Sequence, residues 1–219
     1  MHKISKSPIL YFGTPVVLIT TVNENGTYNV APMSSAFWLG WRCVIGMAAS
    51  SKTTENLIRT KQCVLNLPSV VEVEAVNRLA MLTGSYPVPQ GKRLKGYRFE
   101  PNKSEAANLT PQSAVCVTAP RVLECPVQLE AEVVAIHPLA AHDEAQRGKI
   151  VSMELKVIKI HLEEHILMDG NPDKIDPDKW RPLLMSFQQF YGLSEQVHTS
   201  TLAQIPEYLY RTSDIEHSI

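Results

Sequence analysis

Short runs rich in β-branched residues, tight turns between them and few long helical stretches predict a mainly-β fold. The expected architecture is an antiparallel barrel, closed or nearly closed, with peripheral helices. Three segments carry this reading. Residues 16–22 (Val-Val-Leu-Ile-Thr-Thr-Val) end at Asn23-Glu24-Asn25-Gly26, a strand running into a hairpin turn. In residues 126–136, Val127, Leu129, Ala131, Val133 and Ala135 alternate with Gln128, Glu130, Glu132 and Val134, the period of a strand. Residues 148–162 repeat that habit, with Ile150, Ser152, Glu154 and Lys156 set against Val151, Met153, Leu155 and Val157.

The other elements follow in order. From Tyr28 the chain returns as a second strand, and Pro32 places it at a sheet edge or a bulge, because proline cannot donate to a ladder. Residues 42–48 read as a third strand, 53–60 as a helix and 63–67 as a fourth strand. Val73, Val76, Leu79, Ala80 and Leu82 fall at helical intervals, and Thr83-Gly84 closes that segment. Residues 86–111 hold prolines, Gly91, Gly96 and the basic Lys92, Arg93, Lys95, Arg98 and Lys103. A loop of that length in a small domain is functional or mobile. After Asp169-Gly170 the chain becomes polar and proline-bearing, with an apolar patch at 180–191. The organisation expected is a barrel domain over 1–170 and a C-terminal extension, 171–219, packing on the barrel or on a dimer partner.

Length and composition bound the function. At 219 residues, 44% hydrophobic and 20% charged, the chain can bury a substantial core. A net charge of -1 provides no general field for nucleic acid or anionic membrane, so any anion must be held by local groups. Cys43, Cys63, Cys116 and Cys125 show no metal or redox spacing and read as reduced thiols of a cytoplasmic protein. The apolar stretch at 9–12 is interrupted too soon for a signal segment, and no run reaches membrane length.

Chemistry concentrates in two clusters of small hydroxyl residues. Ser34-Ser35 follows the Pro32 strand, and Ser51-Lys52-Thr53-Thr54 opens the first helix. A helix N-terminus exposes unpaired N–H groups and the positive end of the dipole, so hydroxyls and a lysine there suit a phosphate. Simple capping by Ser51 or Thr53 would explain the second cluster without any ligand.

The segments at 15–35 (PVVLITTVNENGTYNVAPMSS), 50–69 (SSKTTENLIRTKQCVLNLPS), 102–111 (NKSEAANLTP) and 123–134 (LECPVQLEAEVV), in this order, resemble the flavin reductase-like proteins with an FMN-binding split barrel. The resemblance implies a six-stranded Greek-key barrel, a homodimer, and FMN near the subunit interface. By the same resemblance, Asn29 and Ala31, Pro32, Met33, Ser34 and Ser35 lie along the flavin ring and ribityl chain. Ser51, Lys52, Thr53, Thr54 and Asn56 form the phosphate side. Lys103 corresponds to the lysine of an Asp-Lys-Phe motif, although Asn102 and Ser104 depart from it. Trp38 is the candidate aromatic beside the flavin, with a core tryptophan as the alternative.

The activity implied is hydride transfer from NAD(P)H to flavin and on to an unknown acceptor. The cofactor performs that step, so no catalytic acid, base or metal is required. An FMN electron carrier fed by a protein, or a non-enzymatic FMN-binding protein, stand as alternatives. The basic loop from Lys92 could also close over the flavin and meet the phosphates of the nicotinamide dinucleotide. One further motif, His161-Leu162-Glu163-Glu164-His165, matches an inverted zinc-peptidase pattern, but that chemistry needs a helix where the alternation predicts a strand.

Overall fold

The computed structural model describes residues 1–216. Its centre is a seven-stranded antiparallel sheet of β1 (Val17–Val22), β2 (Tyr28–Met33), β3 (Ala36–Leu39), β4 (Arg42–Ala48), β5 (Gln62–Leu67), β6 (Val127–Pro138) and β7 (Ile150–Leu162). The spatial order is β2-β1-β5-β6-β7-β4-β3. Its two edge strands, β2 and β3, are consecutive in the chain and separated only by Ser34-Ser35, so the sheet curls until its edges approach. No ladder joins those edges among the described residues. This is a split barrel of mainly antiparallel, Greek-key character, with seven strands where six were expected, because Ala36–Leu39 adds a short edge. Pro32 sits in the edge strand, as a residue without an N–H should.

The hairpin between β1 and β2 turns at Gly26 (φ +80°), where the left-handed backbone suits glycine. Both faces of β1 are buried, which explains its continuous apolar run. Val17 and Ile19 point into the barrel with Ile45, Leu65, Leu129, Met153 and Leu155. Val16 and Leu18 face outward, under a second core that includes Val76, Leu79, Leu109 and Leu183. Two helices support this arrangement. Helix α1 (Lys52–Thr60) connects β4 to β5 and buries Leu57 in the barrel, while α2 (Val73–Leu79) follows a 3₁₀ turn and caps the outer core.

The polar face of β6 is not left to water. Glu130 is completely buried, and its carboxylate accepts from the N–H groups of Val115 (2.9 Å), Cys116 and Val117 (3.1 Å) and bonds His161 Nε2 (2.7 Å). Burial pushes this carboxyl up, but the combined hydrogen bonds outweigh it and hold it below the ordinary range. Gln128 likewise donates to the carbonyls of Val122 and Cys125. The loop at 113–122 is therefore moored to the barrel through two side chains. His161 ends up in extended β7, and His165 lies in the following turn against Glu163 (2.8 Å).

The C-terminal segment joins the fold at two places. Leu184–Ser186 pairs with Phe12–Pro15 and with Gln189–Tyr191 in a small separate sheet, a long-range pairing with no local signal in the sequence. Farther on, Asp214 accepts from Arg42 Nε (2.8 Å) and lies 3.7 Å from Lys156 Nζ. Residues 217–219 of the expected extension lie outside the described residues. Cys43, Cys63 and Cys125 are buried free thiols, and burial pushes Cys43 up to about 12. Among the described residues, no helix is long and apolar enough to cross a membrane.

Glu130→Ala removes the acceptor of three N–H groups and should destabilise the protein by about 3 kcal/mol in denaturant unfolding. Glu132→Ala, at an exposed position on the same strand, should stay within about 0.5 kcal/mol.

Candidate functional site

The split in the barrel opens into a cavity of about 390 Å³. Both hydroxyl clusters reach it: Ser34 and Ser35 from the link between the sheet edges, Ser51, Lys52 and Thr53 from the start of α1. The Ser34 and Ser35 hydroxyls make no hydrogen bond among the described residues. Ser51 caps the helix, accepting from Thr54 N at 3.0 Å, which is the expected capping role. Its place in the lining shows that capping and a ligand site are compatible. Lys52 Nζ rests on Glu55 at 2.7 Å, a partly solvated pair one helical turn apart.

Two lysines come from the excursion. Short helices α3 (Gln90–Arg93) and α4 (Lys103–Ala106) bring Lys92 and Lys103 to the cavity. Lys103 is 3% exposed, and its ammonium has no hydrogen bond or ion pair among the described residues. Burial, and secondarily the charge of Lys92, pushes it down to about 7. Burial also lowers Lys92, which donates to Thr83 Oγ1 at 3.1 Å. The lining contains no aspartate or glutamate. A buried cation without a counter-ion is costly, and an anionic ligand would be its partner.

Asn29 makes the second unfulfilled demand. Its amide donates to Thr53 Oγ1 at 3.0 Å, while its buried Oδ1 has no hydrogen-bond partner among the described residues. A Cβ at Gly84 would lie 2.7 Å from that oxygen and 3.3 Å from Lys52 Cγ, so only glycine lets the chain pass so close. Ala31, Pro32, Met33 and Tyr97 supply the less polar part of the wall. A flat heterocycle carrying a phosphate matches this donor set: buried and half-buried cations, free hydroxyls, a helix start and an apolar flank. The residues present therefore fit a flavin nucleotide.

The structure brings together Asn29, Ala31, Pro32, Met33, Ser34, Ser35, Ser51, Lys52, Thr53 and Lys103. It does not bring Trp38, Thr54 or Asn56 to the cavity. Trp38 packs on the barrel core through β3, so the core alternative is the one observed. Thr54 Oγ1 is spent on Ala48 O at 2.8 Å, and the Asn56 amide donates to Thr21 and Asn23 beneath the hairpin. Tyr11, Gly84 and Tyr97 line the cavity without having been singled out for it, and Lys92 lines it from the basic loop expected to close over the flavin. For Gly84 the signal was the helix-ending dipeptide Thr83-Gly84; Tyr11 and Tyr97 had none.

The model of the flavin reductase like domain matches residues 9–194. The chain belongs to the flavin reductase-like family. Membership implies an oxidoreductase and a flavin, FMN or FAD. The uncharacterized protein YdfE of Bacillus subtilis (strain 168) is 38% identical over 192 residues, covering 88% of this chain and 89% of that protein. Flavoredoxin of Desulfovibrio vulgaris (Miyazaki F) shares the fold with a TM-score of 0.73 at 17% identity, over 93% of this chain and 99% of that one. Nitrilotriacetate monooxygenase component B from Bacillus cereus does so with a TM-score of 0.67 at 20% identity, over 86% and 88%.

The depressed Lys103 sets a pH dependence in the ligand-free protein. Between about pH 7 and the ordinary lysine value near 10.4, the unfolded chain binds the proton that the folded chain has released, so stability rises with pH across that window. Thermal midpoints of ligand-free protein should climb from pH 7 to pH 9, and Lys103→Met should remove most of that slope.

Proposed function

We propose that this protein is an FMN-dependent oxidoreductase of the flavin reductase type, working with NAD(P)H as the electron donor and as a homodimer. The observation that carries this reading is Lys103: a lysine 3% exposed, unpaired among the described residues, in a cavity whose lining has no carboxylate. A phosphate ester is the partner that side chain lacks. Lys92, Lys52 and the first N–H groups of α1 add donors on the same side of the problem.

The division of labour follows from the lining. Lys103, Lys92 and the start of α1 hold the phosphate. Asn29, with its free Oδ1, and the Ser34 and Ser35 hydroxyls take the polyhydroxyl chain. Ala31, Pro32 and Met33 flank the ring and exclude water from it. When bound, a flavin supplies hydride acceptance from a reduced nicotinamide and onward delivery of the electrons. The residues of this chain are thus left with binding, orientation and exclusion of water.

Homodimerisation is supported by an apolar patch beside the split. Phe12, Phe37, Leu39 and Phe187 are 44–73% exposed, and Phe12 and Phe187 meet edge to face at 5.0 Å. Large exposed patches of this kind mark interaction surfaces. Light scattering should give twice the 24.4 kDa chain mass.

The deciding experiment is anaerobic. NADH or NADPH added to the FMN-loaded protein should bleach the visible flavin band rapidly. Persistent colour with both donors would overturn the reductase reading, and reduction by a protein donor alone would make the chain an electron carrier.

Affinity gives a second test. Above about pH 7 the ligand-free Lys103 is neutral and must take up a proton to pair with phosphate. The FMN dissociation constant should therefore rise by up to about 10-fold per pH unit from pH 7 upward. Lys103→Met should weaken FMN by about 10- to 100-fold and flatten that profile.

A further inference from the structure

Against the apolar flank of the cavity lies a second hollow, of about 340 Å³, that the FMN reading does not use. Tyr11, Pro32, Met33, Ser34, Ala80 and Tyr97 line both spaces, and Pro32 and Met33 are the residues assigned to the flavin ring. Lys52, Lys92 and Lys103 line the first space and not the second. The two spaces therefore adjoin through the ring end, and the phosphate end takes no part in the junction.

The remaining wall comes from two elements far apart in sequence. Val76, Asn77 and Met81 come from α2 and the turn after it, and Met185, Gln188 and Phe190 from the hairpin of the C-terminal segment. Val76 is 1% exposed in the outer core, and Met185 and Phe190, opposite each other in the hairpin ladder, pack against that core. The back of the hollow is thus fixed, while its mouth is open, with Tyr11 and Met81 each 45% exposed. At the hairpin tip, Phe187 (φ +45°) and Gln188 (φ +65°) hold the left-handed backbone of a type I′ turn. Neither is the glycine or asparagine that such a turn favours, so the Gln188 amide is kept at the mouth at a cost in backbone strain.

No charged side chain stands in this lining among the described residues. A phosphate-bearing molecule, whether the nicotinamide donor or a second flavin nucleotide, would find no cation here. Met33, Met81 and Met185 give polarisable, adaptable walls that suit a flat apolar ring. The side-chain amides of Asn77 and Gln188 make no hydrogen bond among the described residues and can donate to carbonyl oxygens. The volume is at the small end of ligand pockets and suits a molecule of about one or two rings.

We propose that this hollow seats the electron acceptor, and that the acceptor is a small uncharged quinone. The inference rests on the flavin reading above and deepens it by naming the class of the acceptor. In turnover the quinone takes a hydride from the reduced flavin and a proton from water. Its two C=O bonds become C–OH as the ring turns aromatic, the flavin is left oxidised, and NAD(P)H supplies the next hydride. The C-terminal hairpin thereby gains a role as the acceptor's outer wall.

Binding is tested first, without turnover. Duroquinone, whose ring is fully substituted and so leaves thiols no position to attack, is titrated calorimetrically into the oxidised, FMN-loaded full chain. It should bind at least about 10-fold more tightly than benzoate, a single ring carrying a charge. Met81→Glu puts a carboxylate in the hollow and should weaken duroquinone by about 10-fold. Gln188→Leu removes a donor and should weaken it by about 3- to 10-fold. Neither Met81 nor Gln188 lines the FMN cavity, so the FMN dissociation constant of each variant serves as the control for folding. With the flavin photoreduced in the absence of air, the second-order rate of its reoxidation by duroquinone should fall by the same factors. Duroquinone that fails to bind the wild-type protein, or that binds both variants as it binds the wild type, would refute the proposal. Variants that slow bleaching by NADH or NADPH and spare duroquinone would also refute it, by giving the hollow to the donor. A protein that binds no FMN sinks the functional reading itself, whereas one that binds FMN and does not tell duroquinone from benzoate sinks only this inference.

Discussion

A two-residue connection, Ser34-Ser35, governs the rest of the molecule. It carries the chain from one edge of a seven-stranded sheet to the other, and so short a span forces the sheet to curl. Since no ladder closes the seam, polar backbone and side-chain groups there stay available, and the excursion after α2 folds over them. The binding cavity is thus a product of incomplete closure. A fully laddered barrel would have filled the same space with paired strands.

Electrostatics then decides what the cavity is for. Interior lysines are rare because desolvation penalises the charge, and proteins normally supply a carboxylate beside them. Here Lys92 and Lys103 line the cavity with no carboxylate beside them in the lining, while Lys52 is paired with Glu55. Such an arrangement would suit an anionic ligand as the neutralising group. The uncapped oxygen of Asn29 repeats the same logic with a hydrogen bond. Both features would suit a ligand without any need for a moving acid or base.

Much of this was legible from local pattern. Alternation located β6 and β7, the Asn25-Gly26 turn located the first hairpin, and the small hydroxyl residues located two walls of the cavity. What escaped depended on distance in sequence. Ala36–Leu39 is only four residues long and has exposed Phe37 and Leu39 on one face, so it resembles a loop. Glu130 fell at a polar position of a regular alternation, and nothing local told that a loop would cover it. Trp38 had the chemistry of a flavin neighbour but the register of a core residue. Tyr97 reaches the cavity only because the path of residues 84–103, which no periodicity describes, turns back upon itself.

The small sheet linking Phe12–Pro15 with Leu184–Ser186 gives the chain's two ends a common fate. Tyr11, which lines the cavity, immediately precedes this pairing, and its carbonyl accepts from Phe187 N at 2.8 Å. Leu183, on the other strand's threshold, is 2% exposed within the outer core. A cut between β7 and Leu183 would therefore loosen one wall of the cavity from the opposite end of the chain.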